Sequence, residues 1–130
     1  MPFVKVTGMY PSLEGSKELL EEGYTSQVNF FECSVQNIIG DTPELAIVSA
    51  AVDIVYACPG VEHVSDFILV EIILWRKKER TKSVLDSMCK KVEQFITKMY
   101  KDRCDIKIAV LADVKEEAEI GLSVGYTNQV

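Results

Sequence analysis

The run Phe67-Ile68-Leu69-Val70-Glu71-Ile72-Ile73-Leu74-Trp75 limits the possible folds of this chain more than any other feature. It is rich in strand-forming residues and is bounded by Asp66 on one side and by Arg76-Lys77-Lys78-Glu79-Arg80 on the other. It falls well short of the ~20 apolar residues of a membrane-spanning helix, and no other stretch of the chain reaches that length. A strand this apolar must lie inside a sheet, with other elements covering it. The rest of the 130 residues have to supply that cover.

Three further strands and two helical patterns do so. Residues 2–7 read as a strand ended by Gly8. Residues 45–57 are nearly all apolar, with Val48, Val52, Ile54 and Val55 β-branched, and read as a strand buried on both faces. Residues 105–112 alternate and read as a fourth strand. Between the first two, Leu19, Leu20, Val28, Phe31, Val35, Ile38 and Ile39 follow helical steps over about 16–39, stopped by Gly40 and Pro43. Gly23 interrupts that pattern and is placed to bend or break it. Residues 80–101 carry the clearest helical stripe: Val84, Leu85, Met88, Val92, Phe95, Ile96 and Met99. The tail from Asp113 is acidic, then bears Gly121, Gly125 and Tyr126, and is expected to form a hairpin or an arm across an interface.

The expected fold class is α+β, as one domain over residues 1–130 with 113–130 as tail or interface arm. Two β-α-β units form one four-stranded mixed sheet with two helices on one face. Two architectures share this order: a ferredoxin-like sandwich, and a double β-α-β whose halves are related by a pseudo-twofold axis. Element order alone does not choose between them.

Composition narrows the function classes. Twenty acidic against fourteen basic residues give a net charge of −6, which argues against a nucleic-acid binder. No Walker loop, dinucleotide fingerprint or nucleophile elbow is present. Cys33, Cys58, Cys89 and Cys104 are too scattered for a zinc pattern and read as reduced, buried thiols of a cytoplasmic protein. His63, the only histidine, reads as a surface residue, with no partner set for a metal or a triad. Neither a cofactor nor a metal is expected, nor any membrane partner. Glu71, inside the strongest strand, is either an acid with a raised pKa or, the favoured reading, a residue at a subunit interface paired with a lysine. Tyr10, Tyr56, Trp75 and Tyr126 are expected in core or interface positions.

Pro2 directly follows the initiator methionine and opens the first strand as Pro2-Phe3-Val4-Lys5-Val6. Later come Val70-Glu71-Ile72-Ile73-Leu74-Trp75, a basic segment and an amphipathic helix. In this layout the chain resembles the tautomerase superfamily, which includes 4-oxalocrotonate tautomerase and macrophage migration inhibitory factor. It is most similar to a small, uncharacterised bacterial-type family with that fold. The tail, with Ile120-Gly121-Leu122 and Gly125-Tyr126, departs from that family's aromatic-rich ending.

The resemblance implies that removal of Met1 exposes Pro2 as a catalytic base in a homotrimer. A secondary amine held unprotonated can move a proton α to a carbonyl and return it at another carbon. The expected activity is therefore keto–enol tautomerisation of a small 2-keto or enol acid. Cations must hold the substrate carboxylate and the developing enolate. The expected substrate-binding residues are Arg76 first, then Lys78 and Arg80, from the run that also contains Lys77. The alternative is an oligomeric binding or assembly domain without enzymatic activity.

Overall fold

A computed structural model describes residues 2–9, 11–57, 66–103 and 105–116. Tyr10, Cys58, His63, Cys104 and Tyr126 lie outside them, as does the tail beyond residue 116.

The chain runs β1 (Phe3–Thr7), α1 (Lys17–Glu21), α2 (Gln27–Gly40), β2 (Asp53–Tyr56), β3 (Phe67–Trp75), α3 (Lys82–Met99) and β4 (Lys107–Lys115). The sheet order is β2-β1-β3-β4. β1 and β2 are parallel, β1 and β3 antiparallel, β3 and β4 parallel. This decides between the two architectures. In a split β-α-β the parallel strands are separated by a third, whereas here each crossover joins direct neighbours.

Alternation sorts the sheet into two faces. Val4 and Val6 of β1 and Ile68, Val70, Ile72 and Leu74 of β3 are fully buried. The register sets Val4 opposite Ile72 and Val6 opposite Val70, so these side chains share one face. Against it pack Phe31, Val35 and Ile39 of α2 and Met88, Val92 and Ile96 of α3, all fully buried and at helical steps. Both helices therefore cover the same face of the sheet, as the two apolar stripes require.

Local chemistry sets the helix starts. Ser26 caps α2 by accepting the Asn29 N–H at 3.0 Å, and Thr81 caps α3 by accepting from Val84 at 3.3 Å. The helical pattern of residues 16–39 divides in two. Gly23 takes φ +95°, a left-handed conformation that no helix continues through, and α1 stops before it.

Residues 45–57 depart further from the sequence reading. Only Asp53–Tyr56 is strand; before it come two short 3-10 turns, Pro43–Leu45 and Ser49–Ala51. Nor is β2 buried on both faces, since it is an edge strand with Asp53 and Val55 exposed. Leu45 and Val52 are apolar because they plug the core, and residues 46–48 because they border a cavity. Neither duty needs a ladder. β4 departs in the other direction and continues to Lys115, so residues 113–115 belong to the sheet.

The described cysteines are free and half-buried: Cys33 on α2 and Cys89 on α3. Tyr56 is half-buried against the core and donates its hydroxyl to Glu32 at 2.8 Å. Burial, with a smaller push from Asp86, raises the Cys89 thiol to about 11. At pH 8 it should then hold at least ~100-fold less thiolate than an ordinary cysteine. Peptide-resolved alkylation with iodoacetamide should find Cys89 correspondingly slow, and labelling at the rate of a free thiol would contradict this packing. No helix among the described residues is long and apolar enough to cross a membrane.

Candidate active site

The antiparallel β1–β3 pairing delivers Pro2 to the end of β3. Phe3 lies opposite Ile73, so the residue before it sits beside the point where the basic run leaves the sheet. The Pro2 carbonyl accepts the Asp53 N–H at 3.3 Å, which ties the chain start to the beginning of β2. Pro2 is half-buried and lines a cavity of about 490 Å³ with Ala46, Ile47, Val48, Ala51, Trp75, Lys77 and Arg80. Most of this wall is apolar, and among the described residues both ionisable groups on it are cations.

Trp75 occupies the cavity wall, not a core position. It is the last residue of β3 and an odd-numbered one, so alternation turns it away from the helices.

The basic run forms a connecting turn between β3 and α3. The Arg80 N–H donates to the Lys77 carbonyl at 3.0 Å, and α3 begins only at Lys82. This turn exposes Lys77, Lys78 and Glu79 and brings Arg80 back into the body of the protein, where it is 9% exposed. Arg80 donates from Nη1 to the Trp75 carbonyl at 2.6 Å and from Nη2 to the Leu45 carbonyl at 2.8 Å. Its Nε is buried without a hydrogen-bond partner among the described residues. Burial lowers the guanidinium from its ordinary value, and Glu79 opposes this.

The structure separates the three cations that the sequence grouped. Arg80 shares the cavity with Pro2. Arg76 is exposed, forms an ion pair from Nε to Glu116 and lines a different hollow of about 650 Å³ between α3 and β4. Arg80 borders that hollow too, but Pro2 does not. Lys78 points away at the tip of the turn and lines neither. Lys77, which the sequence did not rank, is in the cavity instead. In the larger hollow Lys82 is paired with Asp86 at 2.6 Å, and Glu93 faces the same space as Lys90, so opposite charges are mixed there.

No family model matches the chain, and no curated protein does. Solved structures do. A domain of unknown function (DUF1904) from Sebaldella termitidis is 16% identical with a TM-score of 0.51, over 100% of this chain and 98% of that one. N1, a member of the cis-3-chloroacrylic acid dehalogenase family, is 8% identical with a TM-score of 0.55, over 98% of this chain and 82% of that one. A fused 4-OT described as a symmetric trimer is 11% identical with a TM-score of 0.56, over 96% and 94% of the two chains.

The fold is that of the tautomerase superfamily. In this tautomerase-type sheet no helix among the described residues covers the face away from α2 and α3. Phe3, Val55, Phe67 (50% exposed) and Leu111 (54%) lie on it, with half-buried Leu69 and Ile73 between them. Glu71 is on this face, and its cross-strand neighbour is Lys5 of the same chain.

Proposed function

We propose that this protein is a keto–enol tautomerase whose base is the Pro2 amine after removal of Met1. The observation that carries this is the shared cavity: Pro2 stands among apolar walls, and Lys77 and Arg80 are the only charged groups lining it among the described residues. Apolar surroundings and nearby cations both disfavour a protonated amine, which keeps the base free at neutral pH. The same cations favour a carboxylate and a developing enolate. A small 2-keto or enol acid meets these requirements. Tautomerase-fold enzymes among the structural neighbours support the reading.

Intact-mass analysis of the natively expressed protein, joined to an ultraviolet assay of phenylenolpyruvate ketonisation, tests it. Loss of one methionine together with turnover is the expected result. Retained Met1, or a rate no higher than buffer, would leave the non-catalytic binding domain as the better reading.

We propose a homotrimer as the working assembly. The sheet face away from the helices carries exposed Phe3, Val55, Phe67 and Leu111 around the cross-strand neighbours Lys5 and Glu71, and exposed apolar side chains gathered on one face mark an interface. The trimeric fused 4-OT supports that number. Sedimentation equilibrium should give three times the 14.6 kDa chain mass, and Phe67→Lys with Leu111→Lys should reduce it to one. A wild-type monomer at micromolar concentration would overturn the proposal.

A further inference from the structure

We infer that Lys77 is the residue that takes a ligand carboxylate in the Pro2 cavity, and that Arg80 is a positioning residue that clamps the cavity wall. The inference takes from the proposed function only that the ligand is a small carboxylic acid; it does not need turnover.

The basic run offers four cations, and their surroundings assign them different duties. Arg76 is paired with Glu116 and faces the other hollow. Lys78 lines neither space. Arg80 is inside the cavity wall, but two of its donors are held by backbone carbonyls and its Nε is enclosed. Lys77 is exposed, lines the cavity and has no ion pair among the described residues. A lysine ammonium on a flexible stem can move to meet a carboxylate. A guanidinium fixed by two carbonyls cannot do so without leaving them unpaired.

What Arg80 holds explains its burial. Leu45 is fully buried in the core, and Ala46 after it adopts φ 53°, the left-handed region that a residue with a Cβ rarely enters. Such a conformation persists only where its surroundings enforce it. The Arg80 Nη2 bond to the Leu45 carbonyl fixes the peptide plane leading into Ala46, and the Nη1 bond joins it to the end of β3. Residues 46–48 follow directly and form the apolar wall facing Pro2. Arg80 thus sets the shape of the cavity, and Lys77 supplies its mobile charge.

The test is a titration of the full-length protein with phenylpyruvate, with phenylacetone as the probe lacking a carboxylate, followed by backbone amide shifts. Amide exchange is measured on the same samples at Ala46, which donates to Pro43, and Ala51, which donates to Val48. Wild type should bind phenylpyruvate saturably and bind phenylacetone more weakly. Lys77→Met should weaken phenylpyruvate binding about tenfold, leave phenylacetone unchanged and leave both exchange rates unchanged. Lys77→Arg should restore most of the affinity. Arg80→Lys keeps the buried charge but spans only one carbonyl. It should speed exchange at Ala46 and Ala51 about tenfold, with the β3 amides unchanged. Unchanged affinity in Lys77→Met, absence of saturable binding by wild type, or unchanged or uniformly faster exchange in Arg80→Lys would overturn the inference. Binding that follows this pattern without any turnover would instead defeat the tautomerase proposal alone.

Discussion

Replacing Pro2 with alanine is expected to lower kcat/KM for an enol acid by about 10²-fold, the low end of what a positioned general base contributes. The pyrrolidine ring blocks rotation about the N–Cα bond, so the nitrogen points in one direction from a backbone tied to Asp53. An alanine amine at the same place rotates freely and samples the reactive direction only part of the time. The pH profile of the wild type carries a second signature. Only the unprotonated amine is a base, so the rate rises with pH through the amine pKa. An ordinary α-amino group titrates near ~7.7–8.0. Apolar walls and the Lys77 and Arg80 charges disfavour the protonated form, so the half-maximal pH should lie below that range. Lys77→Met removes one of those charges and should move the midpoint upward. Equal rates for wild type and Pro2→Ala, or a rate that falls as pH rises from 6 to 8, would refute the role of the amine.

The chain announced some elements and concealed others, for physical reasons. β3 was legible to the residue because a near-continuous apolar run ended at charges on both sides, and α3, read over 80–101 and found at Lys82–Met99, was legible because a single stripe repeated over its length. Residues 45–52 looked equally strand-like, since burial selects for the same residues whether they enter a ladder, plug a core or line a cavity. The order of the basic residues was beyond sequence reading. Whether Arg76 or Arg80 turns inward depends on the Lys77–Arg80 turn and on a carbonyl of Leu45, 35 residues away. One signal in the sequence does point to the site. Alternation along β3 puts Trp75 on the same side as Phe67 and Glu71, away from the helices, at the strand end next to Pro2.

Phe31→Ala should remove about 3–5 kcal/mol of stability, the range for deleting a fully buried aromatic ring. The ring of Phe31 lies 6.4 Å from that of Tyr56 and 6.2 Å from that of Phe95, so it joins α2 to an edge strand and to α3. Its loss takes away the transfer free energy of the ring and leaves a void that three elements would have to collapse together to fill. Val35 and Ile39, next along the same stripe, hold α2 at its distance from the sheet and resist that collapse. Leu20→Ala is the control: at 59% exposed it fills no such space, and its effect should stay within ~0.5 kcal/mol. Urea unfolding at one fixed protein concentration separates the two outcomes, because association contributes to apparent stability by mass action. The Phe31→Ala midpoint should fall sharply with its slope unchanged. A domain of ordinary stability has only ~5–15 kcal/mol in total, so this one substitution would consume a large share of it. A loss below ~1 kcal/mol would mean that α2 does not pack on the sheet through Phe31, and the shared helix–sheet core would have to be redrawn.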